Sequence, residues 1–419
     1  MRHGDIEGPP VMSTSGVGGG YALEYSAPDR VRGVIAALGR TEDVKFSPSN
    51  GRLAVVSFLK NQIAVFELCI ASPNGKDIII SDVAVFSSRY LNRPHGVDFI
   101  DDENIIVANR GGDATIFKLP IVGLWGKCCE LTPLGVIRSG DLPHSPGAVS
   151  ITRKNLALYE VLLCNNFANK VTRHLIEFGE TFSLRSSEIV LEKWLDLPDG
   201  VSVNGQWIAI SSHNSHKVLL YEDIGLLSEQ SRPDGILGSV HSPHGLRFTS
   251  DGRFILVADA GAPYVHIYSK DESGWRGVRR PLKSLKVLTD EEYVRGREGF
   301  HSGGPKGIDI DVCTSVLVTT CEVQPLAFFD LGMVIKTLSP SLGNEVQTSL
   351  VGGLDLIEEM NCQKSIELKC ELNIQEEFEE QLARMINSRS WRLTAPLRRI
   401  STLVNSLVKL ISRGRPYGD

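Results

Sequence analysis

The feature that most constrains the fold is a pattern that the chain repeats six times. It is clearest in RPHGVDFIDDENIIVANRGGDATIFKL (Arg93 to Leu119) and SPHGLRFTSDGRFILVADAGAPYVHIYSK (Ser242 to Lys270). Each stretch reads Pro-His-Gly, an alternating apolar run, a turn, a second apolar run and a further strand. The residues that anchor the six units are Asp43, Gly96, Gly147, Gly200, Gly245 and Gly307. A period of about fifty residues with three or four short strands per unit is typical of propeller blades.

One blade alone would leave both faces of its small sheet in water, whereas a closed ring of blades buries them. The repeat therefore predicts an all-β fold, a six-bladed β-propeller over about residues 25–355. A flexible N-terminal tail is expected over 1–24 and a helical extension over 356–419. A solenoid would have shorter, more uniform repeats, and a sandwich would not repeat its turn motif six times. The strand that closes the ring could come from 30–38 or from 345–351.

Net charge, apolar runs and cysteine spacing limit the classes of function that the chain can have. The net charge of −6 gives no reason to expect a nucleic-acid surface. The chain contains no apolar run of about eighteen residues, so no membrane span is expected. The N-terminal segment lacks the apolar core of a signal peptide. The eight cysteines form no zinc-type CxxC pairs and no dense disulfide framework, which favours a cytoplasmic location.

The repeat also predicts a polar central channel. The inner strand of each blade begins at the channel mouth, so the residue before each anchor should face it; these are Glu42, His95, Pro146, Asp199, His244 and Lys306. The second strand returns to the same face and ends near Ser57, Asn109, Asn165, Ser212, Asp259 and Thr320. We take as ligand-binding candidates Asn109, Arg110, Asn165, His244, Asp259 and Lys306. The alternative is that Pro-His-Gly is only loop geometry, because Pro fixes φ and Gly permits a bend.

TEDVKF, the Pro-His-Gly unit and LPDGVSVNGQWIAISS together resemble the arylesterase/paraoxonase and gluconolactonase class of six-bladed propellers, and NHL-repeat propellers are also compatible. The resemblance implies a calcium ion in the channel that polarises a lactone or ester carbonyl and helps to generate the attacking water. Glu42 matches the glutamate ligand of that class, with Asp43 beside it. Asp199 stands where the class has an Asn or Asp ligand, and His95 matches the arylesterase histidine that acts as base.

Three positions depart from this class. Pro146 stands where an amide ligand is expected, and His244 replaces an oxygen ligand. Arg110 stands where the class has a second histidine, which pairs with the one matched by His95. Calcium requires six to eight oxygen ligands, whereas histidine is a ligand for transition metals. Glu42, Asp43 and Asp199 are therefore the predicted metal ligands, for calcium, or for zinc, manganese or iron if the histidines also bind.

Two functions follow from this channel. In the first, which the missing amide at Pro146 favours slightly, the propeller binds a small polar ligand or a glycan intermediate, or scaffolds a polysaccharide assembly. In the second, Glu42 and Asp199 hold a metal and His95 is the general base of a lactonase-like or arylesterase-like hydrolase. His213 and His216, in SSHNSHKV, are interpreted as residues of a surface loop.

The C-terminal segment changes to helical spacing. An acidic amphipathic stretch is followed by Pro396 and then a basic one, which indicates an αα-hairpin. SRSWRLTAPLR (388–398) resembles a motif at the tails of bacterial glycosyltransferases and methyltransferases of surface-polysaccharide clusters. The resemblance implies a setting in glycan biosynthesis. We expect these helices to bind a protein partner, or a basic helix to contact the inner membrane peripherally.

Overall fold

The computed structural model describes residues 17–71, 76–120, 128–179, 181–297 and 302–338. The segment 356–419, predicted to be helical, lies outside these residues. Among the described helices, none is both long and apolar enough to cross a membrane. Before the first blade the chain forms β1 (Ala22–Leu23), β2 (Tyr25–Ser26) and α1 (Asp29–Ala36), after a 3₁₀ turn at Gly18–Gly20.

The first three blades follow in chain order. Blade 1 contains β3 (Thr41–Phe46), β4 (Arg52–Ser57), β5 (Gln62–Ala71) and β6 (Asp77–Ser87). The next segment contains β7 (Pro94–Phe99), β8 (Asn104–Asn109), β9 (Ala114–Lys118), β10 (Cys128–Glu130) and β11 (Pro133–Ile137). Of these, β10 joins the outer edge of blade 1 and the other four strands form blade 2. Blade 3 contains β12 (Pro146–Arg153), β13 (Leu158–Asn165), β14 (Lys170–Phe178) and β15 (Phe182–Leu191).

The remaining blades have the same inner order. Blade 4 contains β16 (Pro198–Asn204), β17 (Trp207–Ser212), β18 (Lys217–Glu222) and β19 (Gly235–Leu237), with a 3₁₀ turn at Ile224–Leu226. Blade 5 contains β20 (Pro243–Phe248), β21 (Phe254–Asp259), β22 (Tyr264–Ser269) and β24 (Lys283–Lys286). Between β22 and β24 the chain forms β23 (Gly277–Arg279), which pairs with β19 at the edge of blade 4. After α2 (Asp290–Arg295), blade 6 contains β25 (Gly307–Asp311), β26 (Val316–Thr320) and β27 (Ala327–Asp330), followed by α3 (Leu331–Lys336).

The six blades form the predicted six-bladed propeller. Each inner strand packs against the inner strand of the next blade, and the inner strand of blade 6 packs against that of blade 1. The interfaces between blades are apolar. Between blades 6 and 1, for example, Val316, Val318 and Phe328 pack with Val44 and Val55. The alternating inward residues that defined the repeat therefore form the core between adjacent sheets.

The strand that closes the ring comes from a segment that was expected to be a tail. Strand β1 pairs antiparallel with β27, with Ala22 opposite Phe329 and Leu23 opposite Phe328. Of the two segments predicted for this role, 30–38 is wrong because most of it is helix α1. The other segment, 345–351, lies outside the described residues. The ordered ring thus begins before residue 25 and includes part of the expected tail.

Aspartates on the inner strands join neighbouring blades. Asp43 accepts a hydrogen bond from the Val97 N–H of blade 2 at 3.1 Å. Asp309 accepts one from the Phe46 N–H of blade 1 at 2.8 Å, and Asp98 accepts one from the Ile151 N–H of blade 3 at 3.0 Å. These carboxylates satisfy backbone donors that the small sheets would otherwise leave unpaired. Because Asp43 serves this purpose, its oxygens are occupied within the wall of the channel.

Candidate metal centre in the channel

The strand register identifies the channel position in each blade. Pro94, Pro198 and Pro243 each pair with the last residue of their blade's second strand, and Pro146 pairs in the same way with Asn165. Pro146 is therefore equivalent to the proline before each channel residue. The channel position of blade 3 is Gly147 and not Pro146 as predicted, and Ala148 takes the place of the anchor glycine. The prediction that Pro146 occupies a ligand position is therefore wrong by one residue, and blade 3 has a glycine at that position.

Ring closure brings four predicted side chains together from four blades. His95 Nε2 lies 3.5 Å from Glu42 Oε2 and 3.7 Å from Asp199 Oδ1. His244 Nε2 lies 3.5 Å from the same Glu42 Oε2 and 3.4 Å from Asp199 Oδ2. All four side chains are buried, and the two imidazole rings stack with centroids 5.1 Å apart.

The orientation of His95 is fixed by blade 3. His95 Nδ1 lies 2.6 Å from the carbonyl oxygen of Gly147, which can only accept, so Nδ1 carries a proton. Burial, together with the charge of Arg110, lowers the pKa of His95 to about 3. The ring is therefore neutral at physiological pH, and its Nε2 presents a lone pair to Glu42.

Two buried acceptors consequently face each other. Among the described residues, neither His95 Nε2 nor Glu42 Oε2 has a hydrogen-bond partner. A buried polar atom without a partner costs roughly 1–3 kcal/mol, and more when it is charged. A cation bound between the two atoms would satisfy both.

The carboxylates are held ionised. Burial would raise the pKa of Glu42, but nearby positive charge, above all that of Lys306, more than offsets it and holds the pKa well below its usual value. Lys306 Nζ lies 3.1 Å from Glu42 Oε1, and Arg40 Nε donates to the same oxygen. Asp199 is similar: burial would raise its pKa, but nearby positive charge, including that of Arg110, outweighs burial and lowers it.

The residues fit a divalent transition metal. Ligand atoms of Glu42, His95 and His244 all lie within 4.8 Å of one another. A tetrahedral site with bonds of about 2.1 Å places neighbouring ligand atoms about 3.4 Å apart. The distances above are close to that value, and Asp199 offers a further oxygen beside each imidazole. Two nitrogen ligands favour zinc, manganese or iron over calcium.

A second ring of channel residues was largely missed from the sequence. It consists of the residue that follows each second strand, namely Phe58, Arg110, Asn166, His213, Ala260 and Cys321. Arg110 Nη2 and Asn166 Nδ2 donate to Asp199 Oδ1 at 2.8 and 2.5 Å. His213 is buried, with Nδ1 3.8 Å from Asp199 Oδ2, so its interpretation as a surface-loop residue is wrong. The position was repeated in all six units and could have been found by counting one residue further.

The last residues of the second strands accept hydrogen bonds from backbone N–H groups of neighbouring loops. Asn109 Oδ1 accepts from Asn92 N–H, and Asn165 Oδ1 accepts from His144 N–H. Asp259 accepts from the N–H groups of the loop before β20, including that of Ser242 at 2.7 Å. Neighbouring residues on a strand point to opposite sides, so these side chains turn away while the next residue faces the channel. Of the predicted ligand-binding set, the structure places Arg110, His244 and Lys306 at the channel cavity.

A cavity of about 130 Å³ opens beside Glu42, Asp199 and His244. Its charged and polar lining also includes Arg40, Arg110, Lys306, His213 and Glu322. Cys321 also lines the cavity, and burial raises the pKa of its thiol to about 11, so it is protonated and a poor nucleophile at neutral pH. A second cavity of about 10 Å³ lies against the cluster and against Arg247, and is lined by residues of the inner strands.

No protein-family model matches the chain, and no curated protein matches it. Among solved structures, a functionally unknown protein from Desulfotomaculum acetoxidans DSM 771 is 13% identical, with a TM-score of 0.46, and the alignment covers 70% of this chain and 83% of that one. A candidate gluconolactonase is 12% identical, with a TM-score of 0.45, and the alignment covers 70% of this chain and 88% of that one. At this level of identity the likenesses carry no information about ligand or reaction.

Proposed function

We propose that the channel binds one divalent transition-metal ion through Glu42, His95 and His244, and that the protein is a metal-dependent hydrolase of lactones or esters. The observation that supports the proposal is the pair of buried acceptors, Glu42 Oε2 and His95 Nε2, which lie 3.5 Å apart without a hydrogen-bond partner among the described residues. A metal cation between them would accept a lone pair from each, and His95 is already protonated on its other nitrogen.

A bound metal of this kind supplies a Lewis acid and lowers the pKa of a water ligand towards neutrality. The protein orients the ligands from behind, through the Gly147 carbonyl on His95 and through Arg40 and Lys306 on Glu42. In this proposal His95 is a ligand instead of the general base that the family resemblance implied.

Asp199 is assigned the positioning of the attacking water. Arg110 and Asn166 occupy its Oδ1, so that Oδ2, which faces His213 and His244, is the oxygen that can accept a hydrogen bond from a water in the cavity. Lys306 and Arg110 line the same cavity and can donate to an oxyanion that develops on the substrate carbonyl.

Non-catalytic binding is the second candidate. It is favoured by the three basic side chains around the cavity, Arg40, Arg110 and Lys306, which would hold a polar ligand whether or not chemistry follows. A glycan ligand, a role in polysaccharide assembly and a protein partner for the C-terminal helices remain predictions from the sequence.

Metal stoichiometry tests the proposal. We expect protein purified without chelator to contain about one equivalent of zinc, manganese or iron by elemental mass spectrometry. The Glu42→Gln variant should contain at least tenfold less metal per chain than the wild type. His266→Gln is the matched control, because His266 forms a buried pair with Asp259 at 3.1 Å but belongs to blade 5 outside the cluster. This variant should keep its metal.

Hydrolysis is then measured on a panel of lactones and aryl esters, before and after dialysis against chelator. Activity should disappear with the metal and return when it is added back. If the wild-type protein binds no metal even after incubation with each ion, while Glu42→Gln is equally folded by circular dichroism, the metallohydrolase proposal is wrong and non-catalytic binding takes its place.

A further inference from the structure

We propose that the substrate carries an oxyanion group, a carboxylate or a phosphate, which Arg40, Arg110 and Lys306 bind at the mouth of the channel. The inference rests on the proposed hydrolase function and names the class of its substrate. The three residues come from separate parts of the ring: Arg40 precedes blade 1, Arg110 follows the second strand of blade 2, and Lys306 begins blade 6. All three line the cavity beside the cluster.

These cations retain donors that the protein does not use. Arg40 donates to Glu42 through Nε, and Arg110 donates through Nη2 and Nε to Asp199 and Asn166. Among the described residues, no hydrogen bond is made by either nitrogen of the Arg40 fork or by Arg110 Nη1. Lys306 uses one of its three donors, on Glu42. A guanidinium fork with spare N–H groups matches the oxygens of a carboxylate or phosphate.

Both guanidinium groups lie over aromatic rings. Arg40 lies over Phe58, with 4.7 Å between its central carbon and the ring centroid, and Arg110 lies over Phe167 at 5.6 Å. Their side chains are only 28% and 13% exposed, and that of Lys306 is 10% exposed. Groups that are ordered before binding lose less conformational entropy when a ligand arrives.

With a divalent ion bound in the cluster, the balance of charge favours an anion. Three cations surround two buried carboxylates, Glu42 and Asp199, and the only other acid that lines this cavity among the described residues is the partly exposed Glu322. A divalent ion bound in the cluster leaves the site positively charged even when Glu322 is included. A neutral lactone or ester would leave this charge uncompensated, whereas a substrate with an oxyanion group compensates it.

Calorimetric titration with succinate, inorganic phosphate and neutral butane-1,4-diol tests the inference. We expect both anions to bind and the diol not to bind. Arg110→Gln should weaken anion binding at least tenfold, and added salt should weaken it further. Arg138→Gln is the matched control, since Arg138 is 68% exposed and pairs with Asp113 away from the cavity. That variant should bind within twofold of the wild type. A tighter succinate complex assigns a carboxylate, and a tighter phosphate complex assigns a phosphorylated substrate.

The titration is repeated on chelated protein so that binding to the metal can be separated from binding to the arginines. Anion binding that persists without metal and falls in Arg110→Gln supports the inference. Binding that vanishes with the metal and ignores Arg110→Gln overturns it, and leaves the hydrolase proposal intact. If elemental analysis finds no metal while the anions still bind through Arg110, the hydrolase proposal is wrong. The bound anion is then a ligand and not a substrate, so the inference about the substrate is wrong as well.

Discussion

At the scale of single residues, Gly147 shows how a missing side chain shapes the channel. A Cβ atom at this position would lie 1.5 Å from Oδ1 of Asn166. The space that Gly147 leaves is filled by the Asn166 amide, which donates to Asp199 and to the carbonyl of Pro198. Blade 3 therefore contributes its carbonyl to His95 and its amide to Asp199 instead of a ligand of its own.

Gly147→Ala should accordingly destabilise the protein. The added methyl group must displace the Asn166 amide and break its two buried hydrogen bonds, at a cost of about 2–4 kcal/mol in the free energy of unfolding. Gly33→Ala is the matched control, because it lies inside α1 with no atom within 4 Å of the added Cβ. The control should stabilise the protein by about 0.5–1 kcal/mol. Urea midpoints at equal slope measure both, and equal midpoints for the two variants would contradict this account of Gly147.

Residue by residue, the sequence was informative where the repeat was regular. The prolines and glycines of PHG, PDG and PKG gave His95, Asp199, His244 and Lys306 their common position, and the repeat spacing placed Glu42 of TED in line with them. Blade 3 lacks the glycine after its channel residue, and there the alignment slipped by one position. For the second strand, repetition identified the right turn but could not say which of two neighbouring residues faces inward, because that depends on the pleat at the strand end. Asn166 and His213 were lost for this reason.

At the scale of elements, the ring depends on a very short strand. Strand β1 has two residues, Ala22 and Leu23, and it provides the outer strand of blade 6. Leu23 is partly buried against the apolar cluster between blades 6 and 1. Two residues carry no detectable alternation, so the sequence could not identify this strand, while the apolar spacing of 30–38 fitted a strand as well as the helix it forms.

Disrupting this closing strand should destabilise the whole propeller. Leu23→Asp places a charge against an apolar interface and is expected to lower the free energy of unfolding by about 2–3 kcal/mol. Leu23→Val keeps an apolar, strand-favouring side chain and should cost at most about 1 kcal/mol. Thermal and urea unfolding followed by circular dichroism compare the two variants. Equal losses would show that Leu23 acts only through its volume, and no loss in either would mean that β1 does not close the ring.

At the scale of the whole molecule, the candidate metal centre exists only because the ring closes. Glu42, His95 and His244 belong to blades 1, 2 and 5, and no two of them are neighbours in the sequence. Aspartates on the inner strands fix the spacing between blades, and Arg247 of blade 5 reaches Asp309 of blade 6 at 2.9 Å beside the cluster. The period of about fifty residues predicted this convergence correctly. The distances between the ligand atoms required the structure.

The most direct test of the central claim is an anomalous difference map from crystals of the metal-loaded protein, collected at the absorption edge of the metal found by elemental analysis. We predict a single strong peak about 2.0–2.2 Å from Glu42 Oε2, His95 Nε2 and His244 Nε2. A well-ordered channel with no peak between these three atoms, in protein shown to be saturated with the metal, would contradict the account.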